Sequence, residues 1–209
     1  MAITLAKNQV KAINWSLENK MLVITGGPGT TTIINAILKI FSRLNVKSML
    51  AAPTGRAAKR MYESTGRNAK TIHRMLEYSF KKGGFQKNEK NPLNCHLLIV
   101  DEASMIDTIL MHSLLKPIPQ GATFILVGDV NQLPSVGAGN VLKDIIISGA
   151  VPVIELDEIF RQAKESLIIV NAHLINSGTP PSLELSKNKL EDFYFIEQEN
   201  PEDVVKIIL

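Results

Sequence analysis

Four short apolar runs, Met21 to Thr25, Val46 to Ala52, Leu97 to Val100 and Thr123 to Val127, each stop at a glycine, a proline or an acidic residue. Runs of four to seven apolar residues bounded by such breakers read as buried strands. Helical spacing fills the gaps between them. Ile33, Ile34, Ile37, Leu38 and Phe41 make one apolar helix face, and Gly55 to Ser64 and Asn140 to Ile147 are further helical stretches. Upstream, Ala6, Val10, Ile13 and Leu17 recur at spacings of four, three and four, which predicts that this set is the packed face of a first helix. Downstream, Val151 to Leu156 reads as a strand and Glu165 to Ile175 as a helix. Strands alternating with helices imply an α/β fold, a mainly parallel sheet with helices on both faces. Ligands of such sheets sit at the carboxyl ends of the strands. The polar segments after Thr25, Ala52, Val100 and Val127 are therefore expected along one rim.

Composition narrows the class. With 45% hydrophobic and 21% charged residues, the 209-residue chain is neither wholly disordered nor collagen-like. No apolar run reaches the ~18 residues of a membrane helix, so no membrane association is expected. The first eleven residues lack a secretory pattern. Cys95 is the single cysteine, which excludes an internal disulfide and a multi-cysteine zinc site, and fits a reducing cytoplasm. Charge is segregated. Lys39 to Lys90 holds 13 Lys/Arg against three acids, and Glu155 to Leu209 holds five against 11. A polyanion meeting the basic segment accounts for this, and so do solvated helix faces.

No internal repeat is visible. Lys81 to Asn94 reads as a polar loop, and Ser177-Gly178-Thr179-Pro180-Pro181 is the clearest boundary signal. The expected division is a domain over 1–176, followed by 177–209 as a linker and the start of a further segment. In that second part Phe193 to Ile196 is expected as a strand, with a helix beginning near Pro201. The chain stops inside the apolar helical pattern Val205 to Leu209, which reads as a truncation.

Four motifs carry chemistry. Gly26-Gly27-Pro28-Gly29-Thr30-Thr31-Thr32 lies between a strand and a helix, where backbone N–H groups and a helix N-terminus cradle phosphate. The full phosphate-loop pattern G-x-x-x-x-G-K-[ST] is incomplete, because the Gly-Lys that should follow Thr30 is absent. Lys39, about two turns along the helix, points elsewhere. Asp101-Glu102-Ala103-Ser104 follows an apolar strand and suits Mg²⁺ and water activation, although an Asp-Glu pair after a strand also serves as a helix cap. In Gly128-Asp129-Val130-Asn131-Gln132-Leu133-Pro134, Asp129 is a natural turn residue and Gln132 is placed to sense a γ-phosphate. Pro53-Thr54-Gly55-Arg56-Ala57-Ala58-Lys59-Arg60 is either a phosphate-gripping helix start or an ordinary basic amphipathic helix.

Taken in order, these segments resemble the first motor domain of a superfamily 1 DNA helicase of the RecD-like type, akin to the exodeoxyribonuclease V alpha chain. The resemblance runs from Leu5 to about Pro181. Leu5 to Gln9 resembles the Q motif, Gly26 to Thr32 motif I, Pro53 to Arg60 motif Ia and Thr71-Ile72-His73-Arg74 motif Ib. Asp101 to Ser104 resembles motif II, Gly128 to Pro134 motif III, and Ile159-Phe160-Arg161-Gln162 the family's arginine motif. The resemblance implies a RecA-like P-loop domain. It implies that Gln9 reads the adenine edge, that Gly26, Gly27, Pro28, Gly29, Thr30, Thr31 and Thr32 hold ATP, and that Thr31 and Asp101 meet Mg²⁺. Glu102 becomes the catalytic base, while Gln132 and Arg161 contact the γ-phosphate. Pro53, Thr54, Gly55, Arg56, Thr71 and His73 face single-stranded DNA. For His73 a structural role, and for Arg161 a surface salt bridge, are the plainer readings.

The implied activity is ATP hydrolysis coupled to 5′→3′ translocation on single-stranded DNA, in DNA repair and recombination, with nuclease subunits as further partners. Two departures bear on it. The absent lysine removes a charge from the β- and γ-phosphates, and a two-residue deletion turns the following helix by about 200° at ~100° per residue. The motifs of a second motor domain are also absent, so this fragment is not expected to unwind duplex by itself. A non-catalytic nucleic-acid-binding module with a defective phosphate loop is the alternative. A clamp-loader-like ATPase leaves Gln9 and the Pro53–Arg60 segment unexplained.

Overall fold

The computed structural model describes residues 5–26, 29–156, 166–183, 192–198, 200 and 203–204. They belong to two compact units, Met1–Glu158 and Ile159–Leu209. In chain order the first unit contains α1 (Lys7–Glu18), β1 (Met21–Gly26), α2 (Thr30–Arg43), β2 (Ser48–Ala52), α3 (Gly55–Thr65), β3 (Ala69–Thr71) and α4 (Ile72–Met75). There follow β4 (Tyr78–Ser79), β5 (Gly84–Phe85), β6 (Leu97–Val100), a 3₁₀ turn (Ala103–Met105), α5 (Thr108–Leu115), β7 (Thr123–Val127), α6 (Val141–Ser148) and β8 (Val153–Leu156).

Six strands form one sheet in the order β3-β2-β6-β7-β1-β8, and every pairing is parallel. This is the α/β, RecA-like P-loop architecture expected from the alternation of strands and helices. The two faces of the sheet are read directly from the period of two along each strand. Leu22, Ile24, Leu97, Ile99, Ile125 and Val127 pack with Ile33, Ile37, Leu38 and Phe41 of α2 on one face. Val23, Leu98, Val100, Phe124 and Leu126 pack on the other with Ile72 and Met75 of α4, Leu110 and Leu114 of α5, and Leu142 of α6. Burial on both faces is why these strands read as continuous apolar runs rather than alternating ones.

The expected face of α2 is buried in full. That of α1 is not. Val10 and Leu17 are exposed, and the buried set is Gln9, Ala12, Ile13 and Ser16. Those four also have helical spacing, but two are polar and one is small. Gln9 and Ser16 are buried because they satisfy their polar atoms locally: the Ala6 N–H donates to Gln9 Oε1 at 3.0 Å, and Ser16 Oγ donates to the Ile13 carbonyl at 2.6 Å. On the outer side, the Lys11 ammonium lies 4.3 Å from the Trp15 ring centre.

The segment expected as a polar loop after Lys81 is more structured than that. β4 and β5 pair as an antiparallel hairpin, Asn88 and Asn91 form a bridge, and Leu93 and Cys95 are buried. Burial pushes the Cys95 thiol pKa up, with Lys47 acting weakly the other way.

In the second unit, α7 (Leu167–Asn176) begins at an N–H that donates to Asp192 Oδ1 at 2.8 Å. A hydrogen bond from Ser166 is the main cause that lowers the Asp192 pKa. The fully buried Asn171 holds the Ser182 backbone on both sides, accepting its N–H and donating to its carbonyl at 2.8 and 3.1 Å. Residues 193–196, expected as a strand, are not in strand conformation. The helix expected from Pro201 lies largely outside the described residues. No helix among the described residues is long and apolar enough to cross a membrane.

Candidate functional site

The four central strands β2, β6, β7 and β1 are adjacent and parallel, so their carboxyl ends open on one rim. The segments starting at Pro53, Asp101, Gly128 and Gly26 are delivered there side by side. Two glycines make the close approaches possible. A Cβ at Gly26 would lie 2.6 Å from the Leu156 carbonyl oxygen, at a backbone φ of +107°. A Cβ at Gly128 would lie 2.9 Å from the Ala103 nitrogen and 3.0 Å from that of Ser104. The Gly128 N–H also donates to the Ile24 carbonyl at 3.1 Å. Backbone of β1, of the second motif and of the third therefore meets around Gly128.

Asp101 is anchored at that junction. Its N–H donates to the Ala51 carbonyl at 3.0 Å, and its Oδ1 accepts the Glu102 N–H at 2.9 Å. Burial raises its carboxyl pKa, opposed by the Glu102 N–H, raised further by the Glu102 charge and lowered by Arg60. Glu102 has a left-handed backbone, φ 53° and ψ 40°, which reverses the chain into the 3₁₀ turn. Such a conformation costs a non-glycine residue about 1–3 kcal/mol and is characteristic of functional positions. Its Oε1 pairs with Arg60 Nη1 of α3 at 3.4 Å. A cleft of about 390 Å³ lies alongside, lined by Thr31, Arg60, Met61, Glu63, Ser64 and Asp101.

The structure brings Thr31 of the first motif and Asp101 of the second into that one cleft. Gly29 is the left-handed N-cap of α2, and Thr30, Thr31 and Thr32 form its first turn. Because α2 buries its whole apolar face, the core fixes the register of this helix. Gln132 is exposed on the β7 loop, outside the cleft lining, and its N–H donates to the Asp129 carbonyl at 3.2 Å. Asp129 is a turn aspartate, accepting the Asn131 N–H on Oδ1 at 2.9 Å. Gln9 is buried in α1. Thr54 and Thr71 cap α3 and α4, each accepting an N–H at 3.2 Å, from Ala57 and Arg74. Gly55 and Arg56 are exposed and Pro53 is half-buried. His73 is exposed, and its ring lies 5.7 and 5.4 Å from those of Tyr78 and Phe85 on the hairpin. Gly27, Pro28 and Arg161 lie outside the described residues.

Three features had no reading in the sequence. The Arg60–Glu102 pair joins residues 42 apart, and its only linear signal is that Arg60 follows Arg56 by one helical turn. Thr25 Oγ1 and Ser104 Oγ are buried hydroxyls without a hydrogen-bond partner among the described residues, one at the end of β1 and one in the 3₁₀ turn. An unsatisfied buried group costs about 1–3 kcal/mol. Among the described residues, no group of three or more His, Cys, Asp or Glu is placed to hold a metal ion.

The fold is of the P-loop NTPase type, and this rim is where such sheets receive their ligands. The AAA domain family model matches residues 9–138, and the chain belongs to that family. It is 41% identical to the ATP-dependent RecD2 DNA helicase of Deinococcus radiodurans over 180 residues, covering 85% of this chain and 25% of that protein. It is 32% identical to the RecBCD enzyme subunit RecD of Mycobacterium tuberculosis, covering 96% of this chain and 40% of that one. These homologues bear out the RecD-like resemblance. The chain spans less than half the length of either relative. The crystal structure of the Pif1 helicase from Candida albicans shares the fold, with a TM-score of 0.63, 23% identity, and coverage of 86% of this chain and 46% of that chain.

Proposed function

We propose that this chain is the nucleotide-binding first motor domain of an ATP-dependent DNA helicase, with residues 1–176 as the motor domain and 177–209 as the start of a following segment. The observation that carries this reading is the cleft lined by both Thr31, at the first turn of α2, and Asp101, at the end of β6. The pair fits Mg²⁺, which takes one or two protein oxygens and leaves its remaining positions to water and phosphate. A carboxylate whose ionised form is disfavoured by burial also gains from a nearby dication. Mg²⁺ bound there would neutralise charge on the phosphates.

The chain's own residues then divide the work. Backbone N–H groups from Gly26 to Thr32 cradle phosphate, and Gln9 reads the adenine edge. Glu102 takes the proton of the attacking water. Gln132 and Arg161 contact the γ-phosphate and report its loss. The loops beginning at Pro53 and Thr71 face a single strand of DNA, travelled 5′→3′, in a cytoplasmic assembly that includes repair nuclease subunits. The relatives' names support the ATP and DNA reading: one is an ATP-dependent DNA helicase and another a RecBCD subunit.

The missing Gly-Lys supplies the test. Inserting Gly-Lys between Thr30 and Thr31 is expected to tighten Mg-ATP binding by about 10- to 100-fold, the worth of one charge-assisted contact. In the intact protein carrying that insertion, Glu102→Gln should abolish DNA-stimulated ATP turnover and leave nucleotide binding in place. Equal affinity with and without the insertion removes the motor reading, and undiminished turnover by Glu102→Gln removes Glu102 from its role. The second reading is a nucleic-acid-binding module. The absence of the lysine favours it, and it requires DNA affinity that is indifferent to nucleotide in both proteins.

A further inference from the structure

A general base must have a lone pair open to the water it deprotonates. Glu102 keeps lone pairs on both oxygens, but its Oε1 is engaged by the Arg60 guanidinium at 3.4 Å, which holds the carboxylate in one orientation and draws on its charge. The partner comes from a different part of the fold. Arg60 sits on α3, the helix that begins at Thr54-Gly55-Arg56, and it follows Arg56 by four residues on the same helix face. Arg56 is exposed and has no ion pair among the described residues. Lys59, by contrast, is occupied with Glu63 at 3.7 Å. The Arg60 side chain is 72% exposed while that of Glu102 is 21% exposed, so a largely solvated guanidinium holds a sheltered carboxylate.

We infer that Arg60 is a positioning residue that carries the strand signal to Glu102. This inference rests on the proposed roles of Glu102 as base and of the α3 start as strand-facing. Without a strand, Arg60 occupies Glu102 Oε1. A nucleic-acid phosphate drawn to the Arg56–Arg60 face competes for the same guanidinium, and Arg60 leaves Glu102 for it. The freed carboxylate is then able to turn toward the water and take its proton with its full negative charge. Hydrolysis is thereby held back until a strand is present, through one side chain shared between two anions.

Linkage makes the coupling reciprocal, so it is measurable in the absence of nucleotide and of turnover. If strand binding takes Arg60 away from Glu102, removing the Glu102 charge must make strand binding easier. The experiment is a fluorescence-anisotropy titration of a labelled oligo(dT) strand at low salt, on the chain as it stands, without ATP. Glu102→Gln should tighten binding by about 1.5- to 5-fold, the range that exposed ion pairs reach. In an Arg60→Ala background the same substitution should change affinity no further. Arg60→Lys keeps the positive charge and should retain a part of the gain, which separates loss of the pair from loss of folding.

Equal tightening by Glu102→Gln in the wild-type and Arg60→Ala backgrounds overturns the inference, because it would be a general field effect of one fewer negative charge. No tightening in either background overturns it as well. A wild-type chain that binds no oligo(dT) at all overturns something different, the strand-facing reading of α3, and the coupling falls with it.

Discussion

β6 is fully buried at all four residues, Leu97 to Val100, and every one of them is apolar. One residue further, at the carboxyl rim, the same strand ends in a half-buried carboxyl with a raised pKa, a glutamate in left-handed backbone and a buried hydroxyl without a partner. The interior stores stabilising contacts on both faces of the sheet, and the rim stores unfavourable ones within four residues of them. Local rules are broken where a ligand or a moving part has to be served, and the surrounding core is what tolerates the breach.

The comparison is sharpest where substitution should have opposite signs. Leu98→Ala, inside the sheet, should destabilise the chain by about 2–5 kcal/mol through lost burial and a residual cavity, as read by urea unfolding. Destabilisation well under 1 kcal/mol would mean that the second face is loosely packed. Gly128→Ala belongs to the rim but opposes backbone nitrogens rather than a flexible side chain. It should cost about 1–3 kcal/mol, an overpacking penalty, and should disturb the Asp101–Ser104 turn. A neutral result would show that the turn shifts freely.

Asp101→Asn should raise the thermal midpoint at neutral pH, since the ionised carboxyl is disfavoured by burial. The sign follows from linkage: with a folded pKa raised above the unfolded value, the folded chain binds more protons between the two pKa values. Wild-type stability therefore increases as pH falls through that window, and the variant's advantage shrinks below it. A variant less stable than wild type at pH 7 would contradict the burial of that charge. Smallest of all, Ser104→Ala should be neutral or stabilising by up to about 1 kcal/mol, because it deletes a hydroxyl that has no partner. A loss of stability would reveal a bond that Ser104 makes.

The two N-terminal helices show how legible the chain was. The face of α2 is written in Ile33, Ile34, Ile37, Leu38 and Phe41, all apolar and all buried. The face of α1 was misread, because counting apolar residues selects Val10 and Leu17, whereas Gln9 and Ser16 are buried by satisfying their own hydrogen bonds. The same distinction holds at the site. Glycine and acidic residues after each strand mark the rim in advance, since only a few residue types make sharp turns there. The Arg60–Glu102 pair, the orphaned hydroxyls and the hairpin contacts of His73 depend on which loops become neighbours.

The succession of short apolar runs and helical faces determined by itself the α/β class, the parallel sheet and the four segments that carry chemistry, because periodicity and turn propensity are properties of neighbours along the chain. Tertiary structure alone decided that β2, β6, β7 and β1 lie side by side, that Thr31 and Asp101 share a cleft, and that Arg60 rests on Glu102. Strand order and side-chain pairing are contacts between residues far apart in sequence, set by how two apolar faces of one sheet are covered at once.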